Sequence, residues 1–366
     1  MRFPHVRVDI EPTNRCNASC SFCPRDMTPH VGLMSQDVFS AALAHTERLK
    51  ELVTTELDLT LGVSLCGLGE PLINPLTPQW IRELRAADLE VSVTSNGALL
   101  DQERGDELLE AGLSEIMINV GEQGDDYEEV YGLPWERTRE RVVRFAADAR
   151  DRCNVTIVLV DHRSDPSHIE AQKGFWRGHG LSRFVSYEVM NRGGSLFVDH
   201  MQFADYPEQA RATSMFAERG GTPPCLAPFV FPFVGYDGYY YLCCSDWKKE
   251  AATGHVFEHS FADAIAAKLD HVSTRRAPCE TCNIDPLNRL TSELRASSED
   301  LVLEEPPDVL ADKLVGWGHQ VGEIADVLSA VATNPSPRSQ TPTPGPEAES
   351  TAGVARRRSI TLSPRR

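Results

Sequence analysis

Residues 1–190 alternate short apolar segments with amphipathic segments, and this alternation limits the possible folds more than any other feature of the chain. The apolar segments are rich in Val, Ile and Leu and have the length of buried strands. The amphipathic segments repeat their apolar residues at helical spacing. Because strands that alternate with helices form parallel sheets with right-handed crossovers, we expect an α/β fold. Functional side chains should then follow the carboxyl ends of the strands.

The periodicity also sets the bounds of each predicted element. Strands are predicted at residues 6–10, 59–65, 89–94, 116–120, 155–160 and 184–189. Helices are predicted between them at residues 35–52, 78–87, 101–111, 137–151 and 168–178. By itself, this order is compatible with an open sheet, a full barrel or a partial barrel.

Three of the ten cysteines follow the first predicted strand closely, at Cys16, Cys20 and Cys23. Each thiolate can bind one iron of a [4Fe–4S] cluster, which leaves the fourth iron open. An open iron can chelate the amine and carboxylate of S-adenosylmethionine (SAM), and an electron from the cluster can then release a 5′-deoxyadenosyl radical. Zinc is the alternative, but this spacing, with Phe22 before the third cysteine, is unusual for zinc.

A second cysteine set lies in the last third of the chain. Four thiolates can ligate a further [4Fe–4S] cluster completely, and a structural zinc site with four cysteines is the alternative. Residues 236–242 lie within this set and predict a hairpin that turns at Asp237 and Gly238. The members of the set are Cys225, Cys243, Cys279 and Cys282.

The first cysteine block resembles the radical SAM superfamily, and the elements that follow the next strands strengthen the resemblance. Residues 67–71 (GLGEP) resemble the family element that receives the SAM amino group. The resemblance implies that Gly69 and Glu70 bind SAM there, since a carboxylate pairs well with an ammonium group. It also assigns Phe22, in the cysteine block, to the cofactor site.

Two later strand ends extend the same resemblance. Residues 94–97 (TSNG) resemble the family element whose polar side chains contact the SAM ribose and carboxylate, which implies that Ser95 and Asn96 bind SAM. Asn119 ends the fourth predicted strand, where family members often carry a polar residue, and it is assigned to the cofactor on that ground.

The resemblance implies a fold and a division into domains. The fold class is α/β: a partial (β/α)6 barrel of the radical SAM type with a small C-terminal domain that resembles the auxiliary-cluster domains called twitch and SPASM. The C-terminal helix pattern is interrupted by Gly316 and Gly318. The predicted divisions are 1–190 (radical SAM core), 191–222 (connector), 223–300 (twitch-like domain with an auxiliary [4Fe–4S] cluster), 301–332 (C-terminal helix) and 333–366 (disordered tail).

The second cysteine set is similar to that of the 2-deoxy-scyllo-inosamine dehydrogenases and related radical SAM enzymes of aminoglycoside biosynthesis. This similarity implies a radical SAM oxidoreductase of antibiotic biosynthesis, which oxidises a secondary alcohol of an aminocyclitol or amino sugar to a ketone. Hydrogen abstraction followed by proton loss would leave a ketyl radical, and the auxiliary cluster would take its electron. Epimerisation, dehydration, peptide modification and a non-catalytic iron–sulfur or zinc scaffold are the alternatives.

Several polar residues are candidates for the chemistry on the substrate. Arg192 follows the sixth predicted strand and could stabilise an alkoxide, or it could be a loop arginine that binds backbone carbonyls. Cys244 is either a small buried residue or a hydrogen-atom donor, and the second role would make the protein an epimerase. Asp246, Tyr187 and Glu188 are candidates for accepting a proton or binding a substrate amine.

The composition restricts partners and location. The chain has 54 acidic and 36 basic residues, for a net charge of −18, which disfavours nucleic acid and suits a cationic small-molecule substrate. Neither a signal peptide nor an apolar run long enough to span a membrane is visible, so we expect a cytoplasmic protein whose thiols stay reduced. A reductant of the flavodoxin or ferredoxin type is expected to supply the electron.

Overall fold

The structure of the chain is a computed structural model that describes residues 6–25, 28, 30–163, 165–193, 203, 206–299 and 305–332. The backbone alone is described at residues 328–332. The predicted disordered tail, residues 333–366, lies outside the described residues. Among the described residues, no helix has the length and apolar character that a membrane span requires.

One mixed sheet organises the described residues. Its nine strands are β1 (Val6–Ile10), β2 (Leu61–Leu65), β3 (Glu90–Ser95), β4 (Glu115–Asn119), β5 (Asn154–Asp161), β6 (Arg183–Glu188), β7 (Phe233–Val234), β8 (Tyr239–Tyr241) and β9 (Ala252–His255). They lie in the order β6-β5-β4-β3-β2-β1-β7-β8-β9. The first six are parallel and neighbour one another in chain order, as in a β/α barrel. Because the free edge of β1 pairs with β7 and not with β6, the barrel is partial, as predicted.

Helices cover the parallel strands and the C-terminal region. Ser35 and Asp101 begin two of them by accepting hydrogen bonds from first-turn amides, which satisfies otherwise unpaired donors. The α-helices are α1 (Gln36–Thr55), α2 (Thr77–Ala86), α3 (Gln102–Glu110), α4 (Gly124–Tyr131), α5 (Trp135–Asp148), α6 (Pro166–Gly178), α7 (Glu208–Ala217), α8 (Ala227–Val230), α9 (Phe261–Ser273), α10 (Pro286–Ser298) and α11 (Pro307–Ala332). Short 3-10 turns lie at Pro71–Ile73 and Cys279–Thr281.

The six predicted strands are confirmed, each to within two residues at either end. Five helices of the described residues were not predicted. Helix α4 falls between two predicted elements, α7 lies inside the segment predicted to be a connector, and α8, α9 and α10 lie in the region predicted to be the twitch-like domain. Helix α4 is short and begins with three residues of low helix propensity, Gly124, Asp125 and Asp126.

The auxiliary region continues the barrel sheet. Strand β7 pairs in parallel with β1, and β8 pairs with β7 in an antiparallel hairpin. The predicted turn is confirmed: the Gly238 amide donates to the Gly235 carbonyl at 2.9 Å, with Gly238 at a φ of 85°. The predicted domain boundaries stay a prediction, although the hairpin and the barrel share one sheet.

Helix α11 runs continuously through Gly316 and Gly318, the two glycines that interrupt its amphipathic pattern. Gly318 permits a close approach: a Cβ atom there would lie 2.5 Å from Pro223 Cβ. Gly316 has no atom within 4 Å of the corresponding position. Packing against Pro223 therefore explains one glycine, and nothing in the structure explains the other.

These two glycines give a matched test of the packing of α11. Gly316→Ala should raise the free energy of unfolding by up to about 1 kcal/mol, because alanine has the higher helix propensity. Gly318→Ala should lower it by about 1–3 kcal/mol, because the new methyl group overlaps Pro223. Thermal unfolding followed by circular dichroism would measure both changes. Equal changes of the same sign in the two variants would contradict the close packing of Gly318 against Pro223.

Candidate functional site

The loop that carries the first three cysteines is held against the C-terminal end of α4. The Ser19 amide donates to the Tyr131 carbonyl and the Ser21 amide to the Val130 carbonyl, both at 2.9 Å. Gly132 ends α4 with a φ of 65°, and a Cβ atom there would overlap Ser19 Oγ. The unpredicted helix α4 is thus the support of the cysteine loop, and the glycine allows the two to touch.

Cys16, Cys20 and Cys23 lie together on this loop and are partly buried. Burial raises the pKa of all three thiols, that of Cys20 to about 12, so the thiols are neutral at pH 7 without metal. The Arg25 guanidinium donates to the Cys16 carbonyl at 3.0 Å, which places a cation beside the loop. Three thiols on one loop fit three irons of a cubane, and their protons must leave when iron binds.

The two elements assigned to SAM form one buried network. The Glu70 carboxylate accepts hydrogen bonds from Ser95 Oγ at 2.9 Å, the Asn96 amide at 2.8 Å and the Leu72 amide at 3.2 Å. Burial raises the pKa of Glu70 to about 7. The contacts of Glu70, Ser95 and Asn96 with SAM stay a prediction, and the structure shows that these residues fix one another.

The same network reaches the cysteine loop. Asn96 Nδ2 donates to Asn17 Oδ1 at 2.8 Å and lies 3.8 Å from Cys16 Sγ. Gly69 approaches from the other side, where a Cβ atom would overlap the backbone oxygens of Thr13 and Arg15. The two predicted SAM elements therefore pack directly on the cysteine loop, and Gly69 is needed for that approach.

Phe22 and Asn119 lie on either side of Tyr131, the last residue of α4. The Tyr131 hydroxyl donates to Asn119 Oδ1 at 3.0 Å and accepts from the Gly121 amide at 2.9 Å. The Phe22 ring meets the Tyr131 ring edge-on, with centroids 5.6 Å apart. Whether Phe22 and Asn119 contact SAM stays a prediction. Phe22 belongs to the cysteine loop, and Asn119 is linked to the loop through Tyr131, whose carbonyl accepts from the Ser19 amide.

Sequence reasoning missed a charged network beside Phe22. The Glu122 carboxylate is almost completely buried and bonds to His162 Nε2 at 2.7 Å, to His168 Nε2 at 3.0 Å and to the Arg163 guanidinium at 3.0 Å. The His162 ring stacks on Phe22 at 5.9 Å between centroids. Glu122 closely follows β4 and His162 directly follows β5. The expectation that functional side chains follow the carboxyl ends of strands could therefore have identified both residues from the sequence. The network holds an imidazole against the aromatic residue of the cysteine loop.

The second cysteine set surrounds a single cavity. Its four thiols line this cavity together with Cys244 and Ser245. A cubane takes one thiolate on each iron, so thiols distributed around a cavity fit a fully ligated cluster. In the described residues no three Cys, His, Asp or Glu side chains lie close enough to hold a single metal ion. The lining cysteines are Cys225, Cys243, Cys279 and Cys282.

Arg192 lies between the two cysteine sets. Burial raises the pKa of the Cys23 thiol in the first set and of the Cys244 thiol beside the second set. The positive charge of Arg192 acts on both thiols and partly offsets these rises. Its guanidinium lies over the Trp247 ring, 5.2 Å from the centroid, and its φ of 52° is left-handed. The carbonyl of Trp247 accepts a hydrogen bond from Thr28 Oγ1 at 3.2 Å. This bond joins the segment that follows the first cysteine set to the loop that carries Trp247.

Asp246 lies in a tight loop that its own carboxylate closes. One oxygen accepts a hydrogen bond from the Glu250 amide at 3.1 Å, and the other accepts from the Ala251 amide at 2.9 Å. Both carboxylate oxygens of Asp246 therefore accept hydrogen bonds that hold the loop. That Asp246 accepts a proton from the substrate or binds a substrate amine stays a prediction. Cys244 lies at the auxiliary cavity, and its role as a hydrogen-atom donor likewise stays a prediction.

A buried ion pair joins the barrel to the auxiliary hairpin. Glu11 directly follows β1 and is fully buried, and its Oε2 lies 2.7 Å from Nζ of Lys249, whose side chain is 4% exposed. Glu11 also accepts from the Leu68 amide at 3.0 Å and from the Tyr236 amide at 3.2 Å. One carboxylate thus binds the strand end, the GLGEP loop and the hairpin.

Replacement of Gly132 tests the support of the cysteine loop. Gly132→Leu should lower the iron content after reconstitution from about eight toward about four per chain, because the side chain displaces Ser19 and its loop. Gly180→Leu is the control, since Gly180 has a similar φ of 85° but no atom within 4 Å of the Cβ position. Iron analysis would decide, and equal iron in both variants would contradict the proposed support.

The pKa of Glu70 predicts a pH dependence of stability. The folded chain holds this proton more tightly than the unfolded chain, because burial raises the pKa from its usual 4.5 to about 7. The contribution to the free energy of unfolding is therefore fully present below about pH 4.5 and is lost as the pH rises to about 7.

Glu70→Gln should remove that loss. Between pH 5 and pH 8 the cluster-free native sequence should lose on the order of 2 kcal/mol more stability than the variant. Urea unfolding followed by circular dichroism would measure the difference. Glu103→Gln, on the exposed side of α3, should follow the native sequence, and parallel pH curves for the native chain and Glu70→Gln would contradict the prediction.

Two family models match the sequence. The radical SAM superfamily matches residues 10–171, which contain the first cysteine set and the strand ends described above. The SPASM iron–sulfur cluster-binding domain matches residues 225–283, which contain the second set.

Similarity to individual proteins is low. The tungsten-containing aldehyde ferredoxin oxidoreductase cofactor-modifying protein of Pyrococcus furiosus is 28% identical over 112 residues, which cover 30% of this chain and 29% of that protein. The chain thus spans less than a third of the length of this curated relative.

Solved structures show the same fold. Native anSMEcpe with bound AdoMet matches with a TM-score of 0.52 at 15% identity, over 90% of this chain and 99% of that chain. BtrN in complex with AdoMet and 2-DOIA matches with a TM-score of 0.47 at 15% identity, over 77% of this chain and 94% of that chain. The match to anSMEcpe shows that the two chains share a fold, and the fold assignment rests on that match alone.

The strand-end network around the first cysteine set and the cavity of the second set agree with both family matches. Residues 10–171 are a radical SAM domain, which binds a [4Fe–4S] cluster and SAM, and residues 225–283 are an auxiliary iron–sulfur domain of the SPASM type.

Proposed function

We propose that the chain is a radical SAM dehydrogenase that oxidises a secondary alcohol of an aminocyclitol or amino sugar to a ketone in antibiotic biosynthesis. The observation that carries the proposal is the auxiliary cavity, whose four thiols can ligate a cluster completely. A fully ligated cluster has no open iron for a substrate and is suited to electron transfer. The charge of Arg192 acts on Cys23 of the first set and on Cys244 beside the second set, so one side chain lies within electrostatic reach of both sites.

The oxidation balances with one SAM per turnover. When bound, the first cluster and SAM supply a carbon-centred radical that takes a hydrogen atom from an unactivated C–H bond. The alcohol carbon gives up that hydrogen atom, its hydroxyl gives up a proton, and the remaining electron goes to the auxiliary site. One alcohol and one SAM therefore give one ketone, one 5′-deoxyadenosine, one methionine and one proton, and the electron that started the reaction is recovered.

Acidic charge supports a cationic substrate. Asp9 on β1 is buried and pairs with Arg7 at 2.9 Å. Burial raises the pKa of Tyr187 on β6, and the charges of Arg7 and Asp9 act on that pKa in opposite directions. A net charge of −18 and a buried carboxylate in the barrel suit an amino sugar better than an anionic substrate.

Epimerisation is the second candidate, and the position of Cys244 favours it. Cys244 lines the auxiliary cavity, yet the charges of Asp9, Arg192 and Arg7 also act on its thiol. The thiol therefore lies between the cavity and the charged residues of the barrel. A thiol in this position could return a hydrogen atom to a substrate radical, which would invert a carbon centre without net oxidation.

Several further properties belong to the same proposal. A flavodoxin or ferredoxin would supply the first electron, and cytoplasmic reducing conditions would keep the cysteines reduced, so that the two sets could bind iron. The acidic net charge of −18 argues against a nucleic acid substrate.

The test is turnover of the reconstituted protein with SAM, a reductant and a panel of aminocyclitols and amino sugars. Dehydrogenation predicts a product two mass units lighter than its substrate, with 5′-deoxyadenosine in equal amount, both measured by mass spectrometry. Replacing both Cys279 and Cys282 by Ala should abolish the ketone but not SAM cleavage, because only the auxiliary cluster is lost.

Two results would redirect or end the proposal. A product of unchanged mass that gains one deuterium at carbon in heavy water would replace dehydrogenation by epimerisation. In that case Cys244→Ala should stop turnover and Cys153→Ala, a control at the other end of the barrel sheet, should not. Absence of 5′-deoxyadenosine with every substrate would contradict both reactions.

A further inference from the structure

The start of the GLGEP loop is held by the residue that follows the first barrel strand. The Leu68 amide donates to Glu11 Oε1 at 3.0 Å. Gly67 packs on the same side chain, and a Cβ atom there would lie 2.5 Å from Glu11 Cγ. Two residues after Leu68, the Glu70 amide donates to the Arg15 carbonyl at 2.8 Å. The loop that is predicted to receive the SAM amino group is therefore bound to Glu11 at its start and to the cysteine loop at Glu70.

The other oxygen of Glu11 is bound to the auxiliary hairpin. Glu11 Oε2 accepts from Lys249 Nζ at 2.7 Å and from the Tyr236 amide at 3.2 Å. The Tyr236 ring lies beneath the ammonium group of Lys249, with its centroid 4.5 Å from Nζ, and it packs so closely on Gly32 that a Cβ atom there would overlap it. The Glu11 side chain has no exposed surface, and it joins the loop through one oxygen and the hairpin through the other.

Lys249 compensates the charge of this carboxylate. A buried carboxylate that loses its cation takes up a proton or draws in water. Either change weakens its bond to the Leu68 amide, because hydrogen bonds to a charged oxygen are roughly twice as strong as those to a neutral one. Asp237 Oδ1 also lies 3.9 Å from Lys249 Nζ, so two carboxylates share this cation. Loss of the ammonium group would therefore loosen the GLGEP loop from the barrel.

We propose that Lys249 is a positioning residue for SAM, through which the auxiliary hairpin sets the affinity of the first site. The path has two contacts and a short piece of backbone. Lys249 binds Glu11, Glu11 binds the Leu68 amide, and the chain then runs directly to Glu70. The proposal takes residues 67–71 as the element that receives the SAM amino group. It does not depend on the reaction proposed for the substrate.

Coupling of this kind is reciprocal. If the intact hairpin contact strengthens SAM binding, bound SAM must stabilise that contact by the same factor. The Tyr236 amide reports on the contact directly, because it exchanges with solvent hydrogen only when its bond to Glu11 opens. An ion pair that merely stabilises the fold would not make this exchange depend on SAM.

The experiment compares Lys249→Met with the native chain, both reconstituted with iron and kept without reductant so that SAM is not cleaved. Methionine keeps the approximate length of the side chain and removes its charge. Equilibrium dialysis should show a Kd for SAM at least about fivefold higher in the variant, the lower end of ordinary coupling between sites. The iron content should stay at about eight per chain, because neither cysteine set is changed.

Two controls accompany this variant. Lys268→Met is matched to it, because Lys268 is also a buried lysine of the auxiliary region, 1% exposed, and its Nζ donates to the Pro228 carbonyl at 3.4 Å. Tyr241→Phe removes a hydroxyl that donates to Asp237 at 2.9 Å, which loosens the hairpin and leaves Glu11 untouched. Both control variants should bind SAM as the native chain does.

Hydrogen–deuterium exchange of the native chain provides a second measurement that needs no variant. The Tyr236 amide should exchange at least about fivefold more slowly when SAM is saturating, by the reciprocity of the coupling. The amides of β9 should slow less, because β9 lies two strands beyond the hairpin strand that pairs with β1.

Three results would overturn the proposal. Equal SAM affinity in Lys249→Met and the native chain, with full iron, would show that the ion pair only stabilises the fold. Equal weakening in Lys249→Met and Lys268→Met would assign the effect to the loss of any buried cation. Exchange at Tyr236 that slows no more than exchange in β9 would show that SAM is not coupled to the hairpin, and this result decides the question even if Lys249→Met does not fold.

Discussion

The buried ion pair between Glu11 and Lys249 is the interaction on which the arrangement of the two cluster sites most depends. Glu11 directly follows the first barrel strand, and Lys249 follows the auxiliary hairpin, so the pair spans the chain from one cysteine set to the other. Removing one partner of such a pair costs about 3–5 kcal/mol, because the other charge stays buried without compensation. Lys249 also lies over the rings of Tyr236 and Tyr241, at 4.5 and 4.6 Å from their centroids, and this contact shields it further from water.

The Glu11–Lys249 pair can link the barrel to the auxiliary hairpin because both belong to one continuous sheet. Strand β7 pairs with the edge of β1 that a closed barrel would offer to β6, and the auxiliary hairpin then grows outward from the barrel. On the opposite side, Asn191 and Gly193 join the end of β6 to the last auxiliary cysteines. The auxiliary region is therefore attached at both ends of the partial barrel, and the open side lies between these attachments.

Sequence reasoning succeeded where the signal is local and failed where it depends on contacts between distant residues. The strands were found because each is a short apolar run, and the cysteine sets were found because thiols at such spacing have few uses. Helix α4 was missed since it begins with poor helix formers, although Gly132 after Tyr131 is a recognisable helix end. The partners of Glu122 and of Asn191 could not be found in this way, because 40 and 90 residues separate the bonded pairs Glu122–His162 and Asn191–Thr281. The loop that Asp246 closes was missed for another reason: the residue's position near Cys244 suggested chemistry, and the sequence carries no sign that nearby amides bond to both of its oxygens.

The distribution of charge around the auxiliary site bears on which fate a substrate radical would meet. Arg192 lies near Cys244 on the barrel side, and Asp9 lies near the same thiol, so their opposite charges act on it together. Burial raises the pKa of the Cys244 thiol and keeps it protonated, which is the form that can donate a hydrogen atom. The substrate radical, in contrast, must lose its hydroxyl proton and become a ketyl radical before it can reduce the cluster. The guanidinium of Arg192 would stabilise the resulting alkoxide charge and so favour electron transfer over hydrogen return. In the proposed reaction the same two residues would set the competition: Arg192 would promote oxidation, and Cys244 would permit epimerisation when the proton is retained.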